Sequence, residues 1–146
     1  MNHSLITCPN CSAKNRIPYD KLHLSPKCGR CGQSLAGKTT GAVVELTDAD
    51  LQSSVKESSL PVLVDFYSPT CGPCRTLAPV IETVARTYAG RVLVGKLDTS
   101  RHQRSAAAYQ IRGVPTLLLF KQGKVIEQIV GAVPQVQIEQ ALNAHL

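Results

Sequence analysis

The stretch VDFYSPTCGPCRTLAP (residues 64–79) carries the strongest structural signal in this chain of 146 residues. It begins within a nearly continuous apolar run, PVLVDFYS (61–68), which predicts a strand buried on both faces. Apolar residues then recur at helical spacing: Leu77, Ile81, Val84 and Tyr88. Cys71 and Cys74 therefore lie where a buried strand passes into a helix.

The start of a helix suits a reactive cysteine, because unpaired N–H groups and a partial positive charge stabilise a thiolate. Pro73 fits the first turn, since it has no N–H to lose, and Gly72 leaves the first sulfur accessible. We expect Cys71 to attack a substrate disulfide and the more buried Cys74 to resolve the mixed disulfide. A single C-x-x-C can also be inert or half of a metal site, but residues 42–146 contain no second pair.

Two charged residues and a proline accompany this pair. Asp65 interrupts the apolar strand, where a carboxylate is costly unless it is protonated or partnered. We predict that Asp65 accepts the proton of Cys74; the alternative is an aspartate bonded to a neighbouring loop. Lys96, on another predicted strand, either tunes this acid or is an ordinary surface lysine. Pro115 stands at the start of a later predicted strand. Either the Val114–Pro115 peptide bond is cis, or the proline only marks the strand boundary.

Residues 42–146 alternate between strand and helix patterns. Strands are predicted at 42–46, 61–68 and 91–98, and on both sides of Gln122-Gly123 within 116–131. Helices are predicted at 47–58, from Cys71 to Gly90, at 101–109, and around Ile138, Ala141 and Leu142. Thr47 and Asp50 predict a capping box, and Pro79 predicts a kink. This order predicts an α/β fold, in which helices flank both faces of a mixed sheet.

The N-terminal segment, residues 1–36, holds the other four cysteines in two C-x-x-C pairs separated by 16 residues: Cys8, Cys11, Cys28 and Cys31. This spacing is typical of a zinc site with four thiolate ligands for one ion. So short a segment cannot build its own core, so the metal would supply the folding free energy. The alternative is two redox disulfides. His3 and His23 are predicted to be surface residues rather than ligands.

The chain therefore divides into a zinc-binding ribbon (1–36), a linker, GKTTG (37–41), and an α/β domain (42–146). The net charge of +6 is concentrated at the N-terminus, where residues 1–40 carry six basic side chains and one acidic. This charge could attract nucleic acid or acidic partners, but zinc-bound thiolates would offset part of it, so we do not expect nucleic-acid binding.

The apolar runs of the sequence are all shorter than the ~20 residues that a membrane span needs. The N-terminal residues also lack the pattern of a secretory signal. We therefore expect no membrane association and a location in the cytoplasm, where thiols stay reduced. The sequence gives no clear sign of oligomerisation, so we expect a monomer.

Together these residues resemble the thioredoxin family. The segments that carry the resemblance are 64–79, KLD (96–98), IRGVPTLLLF (111–120) and the glycine of IVGAV (129–133). The two N-terminal cysteine pairs make the chain most similar to the zinc-containing bacterial thioredoxin 2 subfamily.

The resemblance implies a thioredoxin fold and a protein-disulfide reductase that a NADPH-dependent thioredoxin reductase recycles, without an organic cofactor. It implies that Asp65 is the buried acid. It also implies that Val114 and a cis Pro115 contact the protein substrate through backbone bonds, and that Gly131 helps form the docking surface. The zinc module would be structural or redox-regulatory.

The chain departs from the family at Tyr67 and Thr70, which stand where the family usually has tryptophan, so the packing under the active-site loop differs. Two other functions stay open. One is a thiol oxidase or isomerase, against which the Gly-Pro dipeptide and the N-terminal pattern argue. The other is a zinc-ribbon binding protein that uses the α/β domain as a scaffold, favoured only by the basic N-terminal segment.

Overall fold

A computed structural model describes residues 3–18, 26–35, 43–58 and 60–146. His23 and the predicted linker (37–41) lie outside these ranges, so the predicted domain boundaries stay a prediction. For His3 only the backbone is described. Among the helices in the described ranges, none combines the length and the apolar character that a membrane crossing needs.

Strands and helices alternate along the described residues. They are β1 (His3–Thr7), β2 (Lys14–Pro18), β3 (Val44–Leu46), α1 (Asp48–Glu57), β4 (Val62–Tyr67), α2 (Gly72–Thr87), β5 (Leu93–Asp98), α3 (Gln103–Ala108), β6 (Thr116–Lys121), β7 (Lys124–Val130) and α4 (Gln135–Asn143). Strands β1 and β2 form a separate antiparallel hairpin. The other five strands form one sheet in the order β3-β5-β4-β6-β7. Strands β3, β5 and β4 are parallel, while β6 and β7 are antiparallel to their neighbours, which confirms the predicted mixed sheet.

The central strand β4 is buried on both faces, as its apolar run predicts. Leu63 packs on one side with Leu77 of α2, in the core that also includes α4. Val64 packs on the other side with Leu51 of α1. Because side chains alternate along a strand, Asp65 shares the face of Leu63, against α2. This alternation places a carboxylate inside the core next to the helix that begins at the two cysteines.

Two predicted local structures are confirmed. At the start of α1, the Asp50 N–H donates to Thr47 Oγ1 at 3.1 Å, and the Thr47 N–H donates to Asp50 Oδ2 at 3.2 Å. This is the predicted capping box. Between β6 and β7, Gln122 and Gly123 have φ angles of 53° and 79°, the left-handed pair that a tight hairpin turn requires.

Some predicted boundaries were wrong. Helix α2 ends at Thr87 rather than Gly90, and β5 begins at Leu93 rather than Arg91. The cause is a turn in which the Arg91 and Val92 N–H groups donate to the Tyr88 carbonyl, at 2.9 and 3.0 Å. Likewise α3 begins at Gln103 rather than Arg101, because the Arg101 and His102 N–H groups donate to the Asp98 carbonyl in a turn. Helix α2 continues through Pro79, and the predicted kink there stays a prediction.

Candidate redox and metal sites

Cys71 is the N-cap residue of α2, and Cys74 lies in its first turn. The Cys74 N–H donates to Cys71 Sγ at 3.2 Å. The two residues form a disulfide with their Cα atoms 5.2 Å apart. Pro73 lies in the same turn, where its missing N–H costs no hydrogen bond. The N–H donor and the helix N-terminus both stabilise the thiolate that Cys71 forms on reduction.

The two sulfurs differ in exposure. Cys71 is half-buried, and Gly72 and Pro73 beside it are exposed. Cys74 is only 4% exposed. A second protein can therefore approach Cys71 more readily than Cys74, as the predicted order of attack and resolution requires.

The loop before β6 lies against Cys71. The Val114–Pro115 peptide bond is cis, which confirms that prediction. The Cys71 Sγ atom lies 3.6 Å from the Val114 carbonyl oxygen. The Gly131 N–H donates to the Pro115 carbonyl at 2.9 Å, and Gly131 has a φ of 95°. The structure thus brings the predicted substrate-binding residues together beside the dithiol.

Asp65 is 4% exposed, and within the described part of the chain its Oδ1 atom has no hydrogen-bond partner. It lines a cavity of about 140 Å³ together with Cys74, Lys96 and Tyr67. Burial raises the pKa of Asp65 to about 7, an effect that Lys96 opposes and Glu45 reinforces. A carboxyl group with this pKa exchanges protons near neutral pH, which is where a general base is most useful.

Lys96 sits opposite Asp65 in the β4–β5 register and opposite Glu45 in the β3–β5 register. Its side chain is 42% exposed, and its Nζ atom lies 3.7 Å from Glu45 Oε1. Tyr67 donates from its hydroxyl group to Glu45 Oε1 and Oε2, at 2.9 and 2.8 Å. Nothing in the sequence pattern singled out Glu45, because only the register of the folded sheet brings it beside Lys96.

Tyr67 and Thr70, the two departures noted in the sequence, both make polar contacts. Tyr67 bonds to Glu45, as described above. The Thr70 hydroxyl lies 3.2 Å from the Ser68 hydroxyl. Arg75 Nη2 donates to the Pro69 carbonyl at 3.0 Å, which further ties the loop to α2.

The four N-terminal cysteines form one cluster. Their ligand atoms all lie within 4.8 Å of one another. The Cys8–Cys31 and Cys11–Cys28 sulfur distances are both 3.6 Å, and none of the four cysteines is disulfide-bonded. Tetrahedral zinc with bonds of about 2.3 Å to sulfur separates its sulfurs by about 3.8 Å. The donor set and its geometry therefore fit one zinc ion.

The two cysteine pairs lie on two separate backbone turns of the same kind. The Ser12 N–H donates to the Cys8 carbonyl at 3.0 Å, and the Gly32 N–H donates to the Cys28 carbonyl at 2.9 Å. Both Ser12 and Gly32 have left-handed φ angles, of 63° and 77°. Two equivalent turns thus present two sulfurs each, as the sequence spacing predicts.

Asn15 joins the two turns, a role that the sequence pattern did not reveal. Its Oδ1 accepts from the Gly29 N–H at 2.9 Å, and its Nδ2 donates to the Ile6 and Ala13 carbonyls at 3.4 and 3.3 Å. The backbone N–H groups of Cys31 and Arg30, together with Asn15, lower the pKa of Cys28 to about 6. These hydrogen bonds favour the thiolate of Cys28, which is the form that binds a metal.

Comparisons with known proteins agree with both sites. The family described as Thioredoxin matches residues 42–144, and the family described as Thioredoxin 2, N-terminal, matches residues 7–33. Thioredoxin C-3 of Corynebacterium nephridii is 35% identical over 142 residues, covering 97% of this chain and 95% of its own length. Thioredoxin 1 of Nostoc sp. is 43% identical over 105 residues, covering 72% of this chain and 98% of its own length. Thioredoxin 1 of Synechococcus elongatus is 46% identical over 101 residues, covering 69% of this chain and 94% of its own length.

Proposed function

This chain belongs to the thioredoxin family, and on that premise we propose that it reduces disulfides in other proteins and is recycled by a NADPH-dependent thioredoxin reductase. Family membership and the Cys71–Cys74 disulfide make it a thiol-disulfide oxidoreductase. The direction of electron flow and the recycling partner are the proposal. The observation that carries it is the asymmetry of the pair, with a half-buried sulfur at a helix N-terminus and a buried sulfur beside an acid.

In the first step, the Cys71 thiolate attacks one sulfur of a substrate disulfide. A bond forms between Cys71 and that sulfur, the substrate disulfide breaks, and the released substrate thiolate takes a proton. The backbone of Val114 and Pro115, with Gly131 beside it, holds the substrate chain against Cys71 in this proposal. The Val114 carbonyl oxygen lies 3.6 Å from the Cys71 sulfur, and the Gly131 N–H donates to the neighbouring Pro115 carbonyl.

In the second step, Cys74 gives its proton to Asp65, and its thiolate attacks Cys71 Sγ. The Cys71–substrate bond breaks, the second substrate sulfur leaves and is protonated, and the Cys71–Cys74 disulfide forms. Two electrons have then passed to the substrate. Asp65, with a pKa of about 7, is partly ionised at neutral pH and so can accept this proton.

The reductase returns two electrons from NADPH to the Cys71–Cys74 disulfide. The N-terminal cysteines would hold zinc as a cross-link that stabilises their short segment, with a structural or redox-regulatory role. To separate these two roles, zinc content is measured before and after peroxide treatment. Zinc that stays bound in peroxide would leave only the structural role. A cytoplasmic location and a monomeric state complete the proposal.

The test of the proposed function follows NADPH consumption in the presence of thioredoxin reductase and insulin, with a control that lacks this protein. Cys71→Ser is expected to abolish turnover. Cys74→Ser is expected to accumulate a covalent complex with the substrate, detectable by mass spectrometry. Two results would contradict the proposal: full turnover with Cys71→Ser, or no NADPH consumption when the wild-type protein is added to the assay.

A further inference from the structure

Glu45 plays no part in the mechanism above, yet it contacts two residues that line the cavity of Asp65. Both carboxylate oxygens of Glu45 accept from the Tyr67 hydroxyl, at 2.9 and 2.8 Å. One of them lies 3.7 Å from Lys96 Nζ, which is itself 5.5 Å from the centre of the Tyr67 ring. Glu45 is therefore held in a defined position at the edge of the sheet.

Lys96 lies between two carboxyl groups on neighbouring strands. In the sheet register it faces Glu45 of β3 on one side and Asp65 of β4 on the other. Its ion pair is with Glu45, and Asp65 Oδ1 is left without a hydrogen-bond partner among the described residues. The cation that could neutralise Asp65 is thus engaged by the edge strand.

The charged and titratable groups near Asp65 come from α2, from Tyr67 on the same strand β4, from Lys96 on β5 and from Glu45 on β3. Cys74 and Arg75 of α2 line the same cavity, and Glu82 of α2 lines a smaller one that Asp65 and Lys96 share. Of the charged groups, Lys96 acts most strongly on Asp65 by favouring its ionised form, and Glu45 acts in the opposite direction. A carboxylate that both attracts this lysine and repels the Asp65 anion keeps the Asp65 proton bound.

We propose that Glu45 is a positioning residue, which holds Lys96 away from Asp65 and so keeps the Asp65 carboxyl able to exchange a proton with Cys74 near neutral pH. The use of that proton rests on the proposed function above. The effect of Glu45 on Asp65 does not, because it follows from the arrangement of three charges on adjacent strands.

The test is a carbon-13 NMR titration of the Asp65 carboxyl in the oxidised protein. Glu45→Gln keeps an oxygen that can accept from Tyr67 but removes the charge, which frees Lys96 to approach Asp65. We expect the pKa of Asp65 to fall by about 0.5. Lys96→Met is expected to raise it. In the Lys96→Met background, Glu45→Gln should change the pKa of Asp65 by less than half as much as it does when Lys96 is present.

Glu139→Gln on α4 removes the same charge at a distance and should leave the pKa of Asp65 unchanged. Unfolding midpoints of all variants verify that each one folds. An unchanged Asp65 pKa in Glu45→Gln, or an equal decrease with and without Lys96, would overturn the proposal.

The pH profile of mixed-disulfide resolution provides a second readout, and it should move to lower pH in Glu45→Gln. An unmoved profile despite a shifted Asp65 pKa would overturn the link between Glu45 and proton exchange with Cys74. If Asp65→Asn resolves at the wild-type rate, the proposed role of Asp65 fails, while the titration still decides whether Glu45 controls its proton.

Discussion

Asp65 and Cys74 line the same cavity beneath the dithiol, and the Oδ1 atom of Asp65 has no hydrogen-bond partner among the described residues. A buried carboxyl group without a partner lowers the stability of a fold by an amount on the order of 1–3 kcal/mol. In the proposed mechanism, its place in the same cavity as Cys74 connects this cost with proton transfer. The chemical role of Asp65 and its effect on stability can be measured separately.

Asp65→Asn should slow the resolution of the mixed disulfide about 100-fold at pH 7, because Cys74 loses its proton acceptor. The first step should hardly change, since Cys71 is stabilised by the helix N-terminus instead. Rapid-mixing measurements of complex formation and product release give the two rates separately. Equal slowing of both steps would show that Asp65 acts on the whole site rather than on Cys74.

Asp65 should also make stability depend on pH. Burial raises its pKa to about 7 from an ordinary value of 3.8, so the folded chain binds this proton more tightly than the unfolded chain. The free energy of unfolding should therefore fall as the pH rises from 4 to 7, by at most about 4 kcal/mol. Asp65→Asn should remove this decrease. Denaturant unfolding of the oxidised proteins checks it, and parallel pH curves for the two proteins would contradict it.

Asp98 provides a matched control with the opposite sign. It is also buried, at the end of β5, and burial alone would raise its pKa; hydrogen bonds from Ser100 outweigh this and lower it. The ionised Asp98 therefore stabilises the fold at pH values above its ordinary pKa. This stabilisation is lost as the pH falls through the lowered pKa of the folded protein. Asp98→Asn should lower stability at pH 7, and the difference from the wild type should shrink in acid.

Gly95→Ala should destabilise the domain by about 1–3 kcal/mol through overpacking. The added Cβ would lie 2.6 Å from Leu46 Cδ1 and 3.2 Å from the Val44 carbonyl oxygen. The Leu46 side chain would have to move, and β3 would have to give by a few tenths of an ångström at the Val44 carbonyl. Gly113→Ala is the control, because among the described residues beyond its chain neighbours no atom lies within 4 Å of the added Cβ. The stability of this variant should change by less than about 0.5 kcal/mol. Equal effects of the two substitutions would contradict the packing argument.

Asn15→Ala should weaken zinc binding about tenfold, because the second cysteine turn loses its connection to the β1–β2 hairpin. Competition with a coloured chelator measures the affinity. Asn10→Ala is the comparison, since the Asn10 side chain donates to Cys31 Sγ only across a long distance of 3.6 Å. A larger loss in Asn10→Ala than in Asn15→Ala would show that the long contact matters more than the three hydrogen bonds.

Local patterns predicted most of the fold. The apolar run of β4 and the helical spacing after Cys74 both report burial, which the sheet and its helices then satisfy. The capping box at Thr47 and the turn at Gln122-Gly123 depend only on neighbouring residues. The cysteine spacing at both sites is local in the same way, so the sequence identified the dithiol and the metal cluster.

Long-range register and hydrogen bonding could not be predicted in this way. Glu45 reaches Lys96 only because β3 pairs with β5 in one particular register, and strands far apart in the chain carry no signal of their pairing. Asn15 becomes the link between two turns only after the chain folds back. The end of α2 was misplaced because Tyr88, rather than Gly90, forms the turn. The roles of Glu45 and Asn15 depend on contacts between distant segments, whereas the end of α2 depends on a local turn.

The sulfur that caps α2 is also the sulfur that enters the Cys71–Cys74 disulfide. The Cys74 N–H therefore has a neutral acceptor in the oxidised protein and a charged one once Cys71 is a thiolate, and charged acceptors form the stronger hydrogen bond. The chain contains no tryptophan, so indole fluorescence cannot follow its oxidation. The amide resonance of Cys74 is a built-in reporter that distinguishes the two redox forms without any label on the active site.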